Sequence, residues 1–361
     1  MAQWIDDMLP CLNETAGLPA RADGTTCRSP TATSASAATR CRGERRFVEP
    51  RRLLGAVLVT VLGACLACSD APGGGADALP ECGSVPAGFS HRSVDVDGVR
   101  LHYVIGGRGP AVVLLHGFPE TWWTWRQVMP LLAQEHTVIA PDLRGVGCSS
   151  LAPAGYDAQT LAQDVHGLVG SLGLPRVALV GHDLGGWVAY AYARQYRDEV
   201  SHLVLSGAAL PGFGLERLLD FRRPGQGLPH LVFFAQPRVP ELLISGRERE
   251  YFATFIGSPA MQRSGAVDVY ARSYARPGRL TAALGQYRAR YTDALDNRRG
   301  AGAPLTMPTL ALAGAGETRL SADSLRQVAH DVRQVGIPGA GHYVQEERPV
   351  ELARALEEFL G

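Results

Sequence analysis

One short stretch, VALVGHDLGGWVAY from Val177 to Tyr190, constrains the fold of this chain more than any other. Four apolar residues lead into Gly181-His182-Asp183-Leu184-Gly185, and a helix-forming segment follows at once. Glycines two positions before and after a central residue are what a sharp strand-turn-helix junction needs, because side chains there would collide as the chain reverses. Such an elbow lifts its central side chain, here Asp183, above the carboxyl edge of a sheet. An aspartate after a strand also serves as an ordinary helix N-cap. The paired glycines favour the elbow.

The surrounding pattern supplies the sheet. AVVLLHG (111–117), HTVIAPD (136–142), RVALVGHD (176–183), HLVLSGA (202–208), PTLALAG (308–314) and VRQVGIPGAGH (332–342) are short apolar runs ending in glycine or polar residues. They read as buried parallel strands. Helical patterns at Trp122–Gln134, Thr160–Leu172, Gly185–Tyr196 and Pro349–Leu360 alternate with them, which predicts an α/β fold: a mostly parallel sheet with helices on both faces. Before it, SVDVDGVRLHYVI alternates about Asp97-Gly98, the signal of a two-residue hairpin. Residues 212–299 break the rhythm with segments such as PELLISGREREYFATFI and LTAALGQYRARYTDAL, and predict a helical cap inserted into a core of 89–211 and 300–361.

The first part of the chain is different. Residues 13–46, rich in Ala, Thr, Ser and Arg, lack apolar periodicity, so 1–47 are expected to be a disordered or non-native extension, with Val48 as the start of the functional chain. Arg51 and Arg52 precede LLGAVLVTVLGACLAC, an apolar run shaped like a secretory signal, which makes 48–68 a signal segment and predicts export to the periplasm, the medium or a membrane surface. Leu62-Gly63-Ala64-Cys65 resembles a bacterial lipobox, with Cys65 as a lipid anchor and Cys68 a weaker second site. Residues 69–88 read as a flexible tether. Of seven cysteines, only Cys82 and Cys148 remain in the exported body, as a disulfide or as two free thiols. Thirty-five basic and thirty-five acidic residues cancel, so nothing points to nucleic acid.

Ligands of such a sheet sit beyond the carboxyl ends of its strands, which makes His116, Asp142, Asp183 and His342 the first candidates. Glu317, three residues after Gly314, falls between Asp183 and His342 in the order nucleophile, acid, histidine. Asp323 is a nearby alternative acid.

The segments HGFPETWWTWRQVMP (116–130), APDLRGVGCSS (140–150), VGHDLGG (180–186) and GAGHYVQEERP (339–349) resemble α/β-hydrolases of the epoxide hydrolase group, with haloalkane dehalogenases as close relatives. The similarity runs from about residue 90 to the end. Within the group, HLVFFAQ (230–236), ELLISGREREYF and DVYARSYARPGRLTAALGQYRA look like secreted epoxide hydrolases of the cystic-fibrosis-channel inhibitory factor type. The resemblance implies that Tyr287 and His230 of the cap hydrogen-bond an epoxide oxygen; by sequence pattern alone both would read as packing residues. In the inhibitory-factor type the acid is a glutamate after the strand that follows the nucleophile helix. Here Gly207 holds that place, which moves the expectation to Glu317.

An aspartate is ionised at neutral pH without help from a base, so Asp183 can attack an sp3 carbon directly. The expected reaction is hydrolysis of a small-molecule epoxide to a vicinal diol, an ether-bond hydrolysis passing through an alkyl ester of Asp183. Water activated by His342, which Glu317 orients, then cleaves the ester, and the backbone N–H groups of Phe118 and Leu184 form the oxyanion hole. The scheme needs no cofactor and no metal. Halide-holding positions are occupied by Phe118, Leu184 and Trp187, which disfavours a haloalkane or haloacid dehalogenase. A non-catalytic surface lipoprotein of the same fold is the alternative from another class. A homodimer is left open.

Overall fold

The computed structural model describes residues 82–219, 228–314 and 316–361. The extension 1–47, the signal segment 48–68 with Cys65, and the tether up to residue 81 lie outside the described residues.

The first two strands, β1 (Phe89–Val96) and β2 (Val99–Gly107), form an antiparallel hairpin in which Val96 faces Val99. Asp97 (φ 46°) and Gly98 (φ 79°) make the turn. Two successive positive φ values match the right-handed twist of the flanking strands, and the Asp-Gly pair tolerates them. Next come β3 (Ala111–Leu115), helix α1 (Met129–Leu132), β4 (Thr137–Pro141), α2 (Ala158–Ser171), β5 (Val177–His182), α3 (Leu184–Gln195) and β6 (Val200–Ser206). The sheet order is β1-β2-β4-β3-β5-β6-β7-β8, with β7 at Thr309–Gly314 and β8 at Val332–Ile337; β3 to β8 run parallel.

Side-chain alternation along the strands feeds two cores. Val112 and Leu114 of β3 pack with Trp122, Trp125, Leu352 and Leu356 on one face, while Val113 and Leu115 pack with Leu161, Val165 and Val188 on the other. Both faces are covered, so every residue of β3, β5 and β7 is buried. The chain turns one way from β3 to β4 and the other way to β5, which leaves a crevice beyond the carboxyl ends of β3 and β5.

Among the described residues between β6 and β7 stand a 3-10 turn at Leu215–Leu219 and six α-helices: α4 (Pro229–Ala235), α5 (Val239–Ile244), α6 (Glu248–Ile256), α7 (Pro259–Arg263), α8 (Ala266–Tyr274) and α9 (Arg279–Arg299). They lie over the crevice and are tied to the loops of the sheet. Tyr274 donates its hydroxyl proton to the Glu120 carbonyl (3.0 Å), Arg276 donates to the Gly147 carbonyl (2.9 Å), and Asp293 accepts the Ala158 N–H at the start of α2 (2.9 Å). The chain closes with α10 (Thr318–Leu325), β8, α11 (Val344–Glu347) and α12 (Pro349–Leu360).

Two expectations change. The helix expected over Trp122–Gln134 is a 3-10 turn at Trp122–Trp125 followed by the single turn of α1, because Pro130 has no N–H to continue a helix begun before it. In the cap, as the helical reading of 212–299 expects, the segment 240–256 is helical, in two helices separated at Gly246 with φ 80°. The ordered body also begins earlier than a tether ending at residue 88 allows. Cys82 is buried, its carbonyl accepts the Trp122 indole N–H (2.8 Å), and it forms a disulfide with Cys148, 66 residues away. That bond decides between the two states left open for the cysteines. Closing a loop of this length restricts the unfolded chain by about 4 kcal/mol in the chain-entropy picture. Replacing both cysteines by alanine is expected to lower the unfolding free energy by about 2–4 kcal/mol in urea titrations, with the native fold retained.

Candidate active site

Asp183 stands at the junction of β5 and α3 with φ 51° and ψ −121°, a conformation that L residues seldom adopt. Its own N–H donates to the Ser206 carbonyl of the neighbouring strand (3.0 Å), and it caps no helix N–H with its side chain. The flanking glycines are used for close approach. A Cβ on Gly181 would strike the carbonyl of Gly185, and one on Gly185 the carbonyls of Leu115 and His116. This contact presses the elbow against the end of β3, and the Phe118 N–H there donates to Asp183 Oδ1 (3.0 Å). Leu184 is the first residue of α3, so its N–H is among those without an intrahelical partner.

His342, in the loop between β8 and α11, lies between two carboxylates. Its Nε2 is 3.7 Å from Asp183 Oδ2, and its Nδ1 donates to Glu317 Oε2 (2.9 Å). Glu317 precedes α10 in the loop that follows β7. Asp323, the alternative acid, instead faces Arg319 and Arg326 on the exposed side of α10. Gly207, at φ 59°, sits on the same histidine: a Cβ there would be 3.2 Å from His342 Nδ1 and 3.7 Å from Glu317 Oε2.

Charges in this cluster act on one another. Burial alone would favour a neutral Asp183, but the hydrogen bond and charge of His342, the charge of His182 and the Phe118 N–H outweigh it and hold the carboxyl at about 2. Burial likewise opposes a charged His342, yet Asp183 and Glu317 together push the imidazole up to about 10. Each charge in the row Asp183, His342, Glu317 thus favours the charged form of its neighbour.

A cavity of about 510 Å³ opens above Asp183, lined among others by Phe118, His230, Phe255, Tyr287, His342 and Tyr343. Tyr287 of α9 is buried, its ring 5.5 Å from Phe118 and 6.2 Å from His230 of α4. Its hydroxyl has no hydrogen-bond partner among the described residues, and burial together with the Asp183 charge pushes it well above the usual phenol range. Burial pushes the His230 imidazole down. Trp187 also lines the cavity, but its indole N–H is spent on the Ala209 carbonyl (2.9 Å). Asp183, His342, Glu317, Tyr287, His230 and the Phe118 N–H thus meet in one place.

Two strand-end residues do not join them. His116 accepts the Leu143 N–H on Nε2 (3.1 Å) and donates from Nδ1 to the Gly117 carbonyl (2.9 Å). Asp142 accepts from the backbone of Trp122 (2.9 Å) and Cys148 (2.8 Å) and pairs with His102 (2.8 Å). Both hold loops in place. Sequence reasoning missed a support beneath the site. His182, fully buried, donates from Nε2 to the His342 carbonyl (3.0 Å) and pairs through Nδ1 with the equally buried Glu120 (2.8 Å), which also accepts the Gly117 N–H (2.9 Å). The signal was a charged residue inside the HGFPE run, where a buried carboxylate demands a partner. Among the described residues no group of His, Cys, Asp and Glu side chains could hold a metal ion.

A profile of the family described as the alpha/beta hydrolase fold matches residues 110–349. The chain is 34% identical to a soluble epoxide hydrolase from Corynebacterium sp. (strain C12) over 272 residues, 72% of this chain and 93% of that protein. It is 32% identical to a fluoroacetate dehalogenase from Burkholderia sp over 289 residues, 76% of this chain and 94% of the relative. The crystal structure of Cfl2 from Burkholderia cenocepacia superposes with a TM-score of 0.72 and 41% identity, covering 76% of this chain and 96% of the other.

Glu120 meets the Gly117 N–H, the Thr124 hydroxyl and His182 Nδ1 at once, so removing its carboxylate leaves buried polar groups without a partner, at about 1–3 kcal/mol each. Glu120→Ala is expected to lose at least about 3 kcal/mol of unfolding free energy in urea titrations; a loss below about 1 kcal/mol would show that the carboxylate does not hold these groups.

Proposed function

The chain belongs to the α/β-hydrolase family, in the group of the epoxide hydrolases, and from that premise we propose that this hydrolase opens an epoxide to a vicinal diol through an alkyl ester of Asp183. One observation carries the reading. The cavity above an ionised, elbow-borne carboxylate is faced by a buried tyrosine hydroxyl and a histidine, with no arginine, lysine or asparagine in its described lining to hold a halide or a haloacid carboxylate. The Trp187 indole, the other candidate halide donor, is already bonded to backbone.

In the proposed reaction Asp183 Oδ2 attacks an oxirane carbon and the C–O bond breaks. The alkoxide oxygen takes a proton from Tyr287, hydrogen-bonded also by His230, and the tyrosine is reprotonated from solvent. Esterification removes the Asp183 charge, which is one of the two carboxylates holding His342 charged. The imidazole then gives up its proton more readily and becomes a base for water, oriented by Glu317 through Nδ1. Water adds to Asp183 Cγ, and the negative charge gathers on Oδ1, the oxygen already at the Phe118 N–H. Collapse breaks the Cγ–Oδ2 bond: the departing alkoxide takes one proton of the water through His342 to complete the diol, the other returns His342 to its charged form, and the water oxygen stays in the Asp183 carboxylate. The proposal includes export and a lipid anchor at Cys65; the Cys82–Cys148 bond supports an oxidising compartment.

A single turnover of styrene oxide in 18O-enriched water is expected to place label in the peptide containing Asp183. Asp183→Ala is expected to show no turnover above background. Label confined to the diol would overturn the ester route.

The pH dependence separates the two steps. Asp183 is lowered to about 2, so attack stays competent far below the usual carboxylate range, and Tyr287 is raised, so it stays protonated at alkaline pH. We expect kcat/KM to be flat between about pH 5 and 9. Ester hydrolysis needs neutral His342, so kcat is expected to fall as pH drops. An acid limb in kcat/KM above about pH 5 would contradict the assignment.

A further inference from the structure

Helix α5 is apolar on two faces. Pro240 and Ile244, one turn apart, are buried in the cap, while Val239, Leu242 and Leu243 share a second face and are exposed. Leu242 is 81% exposed, more than any other large apolar side chain among the described residues. The helix is fixed in this attitude: Arg288 of α9 donates to both oxygens of Glu241 (2.8 and 2.9 Å) and to the Gln236 carbonyl (3.0 Å). Positive charge borders the exposed face. Arg238 and Arg247 are exposed at the two ends of α5, and Arg247 lines a groove of about 360 Å³ together with Arg249 and with Arg272 of α8. Residues 229–299 hold eleven arginines and six carboxylates, a surplus of five positive charges in a chain whose total is zero. The carboxylates are mostly engaged within the protein. Glu241, Asp268 and Asp296 pair with Arg288, Arg249 and Arg299, and Glu248 and Asp293 accept backbone N–H groups.

Bare aliphatic side chains on one short helix, with arginines around them, suit an interface helix, which sinks its apolar groups to the acyl boundary of a bilayer while its basic groups meet phosphates. A second copy of the chain fits less well, because a two-fold contact through this face would set its arginines against their own equivalents. We propose that α5 and its arginine rim dock on an anionic phospholipid bilayer, with Val239, Leu242 and Leu243 entering the acyl boundary and Arg238, Arg247 and Arg272 meeting the headgroup phosphates. The stretch from Cys65 to Cys82 reaches about 60 Å at full extension, so a chain anchored at Cys65 can lay its cap on the same membrane. Docking of α5 is independent of epoxide opening, and it can be read at α5 itself rather than at the anchor.

The test uses the full chain carrying Leu242→Trp, a change at a side chain that solvent surrounds, and vesicles of phosphatidylcholine with brominated acyl chains, with or without phosphatidylglycerol. Emission of the introduced indole, taken as the difference from the parent chain, is expected to shift to the blue and to be quenched on the vesicles that contain phosphatidylglycerol. Arg247→Ala and Arg272→Ala, added to Leu242→Trp, are each expected to lower the docked-to-free ratio read from the quenching about fivefold. Leu243→Asp is expected to lower it at least about tenfold. No quenching beyond that of the parent chain, whether or not the chain sediments with the vesicles, overturns the proposal, and so does quenching that is equal with and without phosphatidylglycerol. A lipid-free dimer in sedimentation equilibrium that Leu242→Asp dissociates would assign the face to a second copy and overturn it as well.

Discussion

The site depends on one strained residue. Asp183 at φ 51° costs about 1–3 kcal/mol relative to an ordinary conformation, and such a residue persists only where its surroundings over-determine it. They do so here from three sides. The Ser206 carbonyl holds its N–H, α3 begins immediately behind it, and the glycine faces of Gly181 and Gly185 let the elbow lie against the end of β3. The last contact matters most for chemistry, because it brings the Phe118 N–H to Asp183 Oδ1 without any side chain intervening. The N–H proposed as oxyanion donor and the carboxylate proposed as nucleophile are thereby positioned by the same packing.

Electrostatics then divides the labour in time. A histidine between two carboxylates cannot act as a base while both are charged, and a carboxylate beside an imidazolium cannot be protonated easily. In the proposed reaction this arrangement suits attack first and hydrolysis second, since esterification of Asp183 would release His342 from one of its two partners. The Glu120–His182 pair below supports this order mechanically: it grips the His342 carbonyl and the Gly117 N–H, so the histidine loop and the Phe118 loop share one buried anchor.

Much of this was legible in the sequence. The apolar runs at 111–117, 136–142, 176–183 and 308–314 became strands nearly residue for residue, because strands buried on both faces need continuous hydrophobicity and leave little ambiguity of period. The elbow was legible because glycine spacing states a steric requirement directly. The helix expected at Trp122–Gln134 was not, since its apolar pattern hid the effect of Pro130 on backbone hydrogen bonding. Pairing of Cys82 with Cys148 is a matter of distance, and no local pattern reports a distance. Tyr287 and His230 stood out only through family resemblance, for a tyrosine on an amphipathic helix carries no mark of the cavity it faces.

The acid of the cluster shows why some parts of such a site can move and others cannot. β6 and β7 are adjacent parallel strands, with Ser206 beside Leu312, so the loops after both end near one point, and that point is His342 Nδ1. A carboxylate can reach the nitrogen from either loop. In this chain it comes from Glu317 after β7, and the place after β6 is left to Gly207, whose φ of 59° would strain a side chain in any case. The carboxylate proposed as nucleophile has no such freedom. Among the described strands β5 is the one whose end combines a glycine-flanked elbow, a following helix and the Phe118 N–H, and moving the carboxylate elsewhere would separate attack from the donor that stabilises its consequences. Position of the acid is therefore a property of two neighbouring loops, whereas position of the nucleophile is a property of the fold.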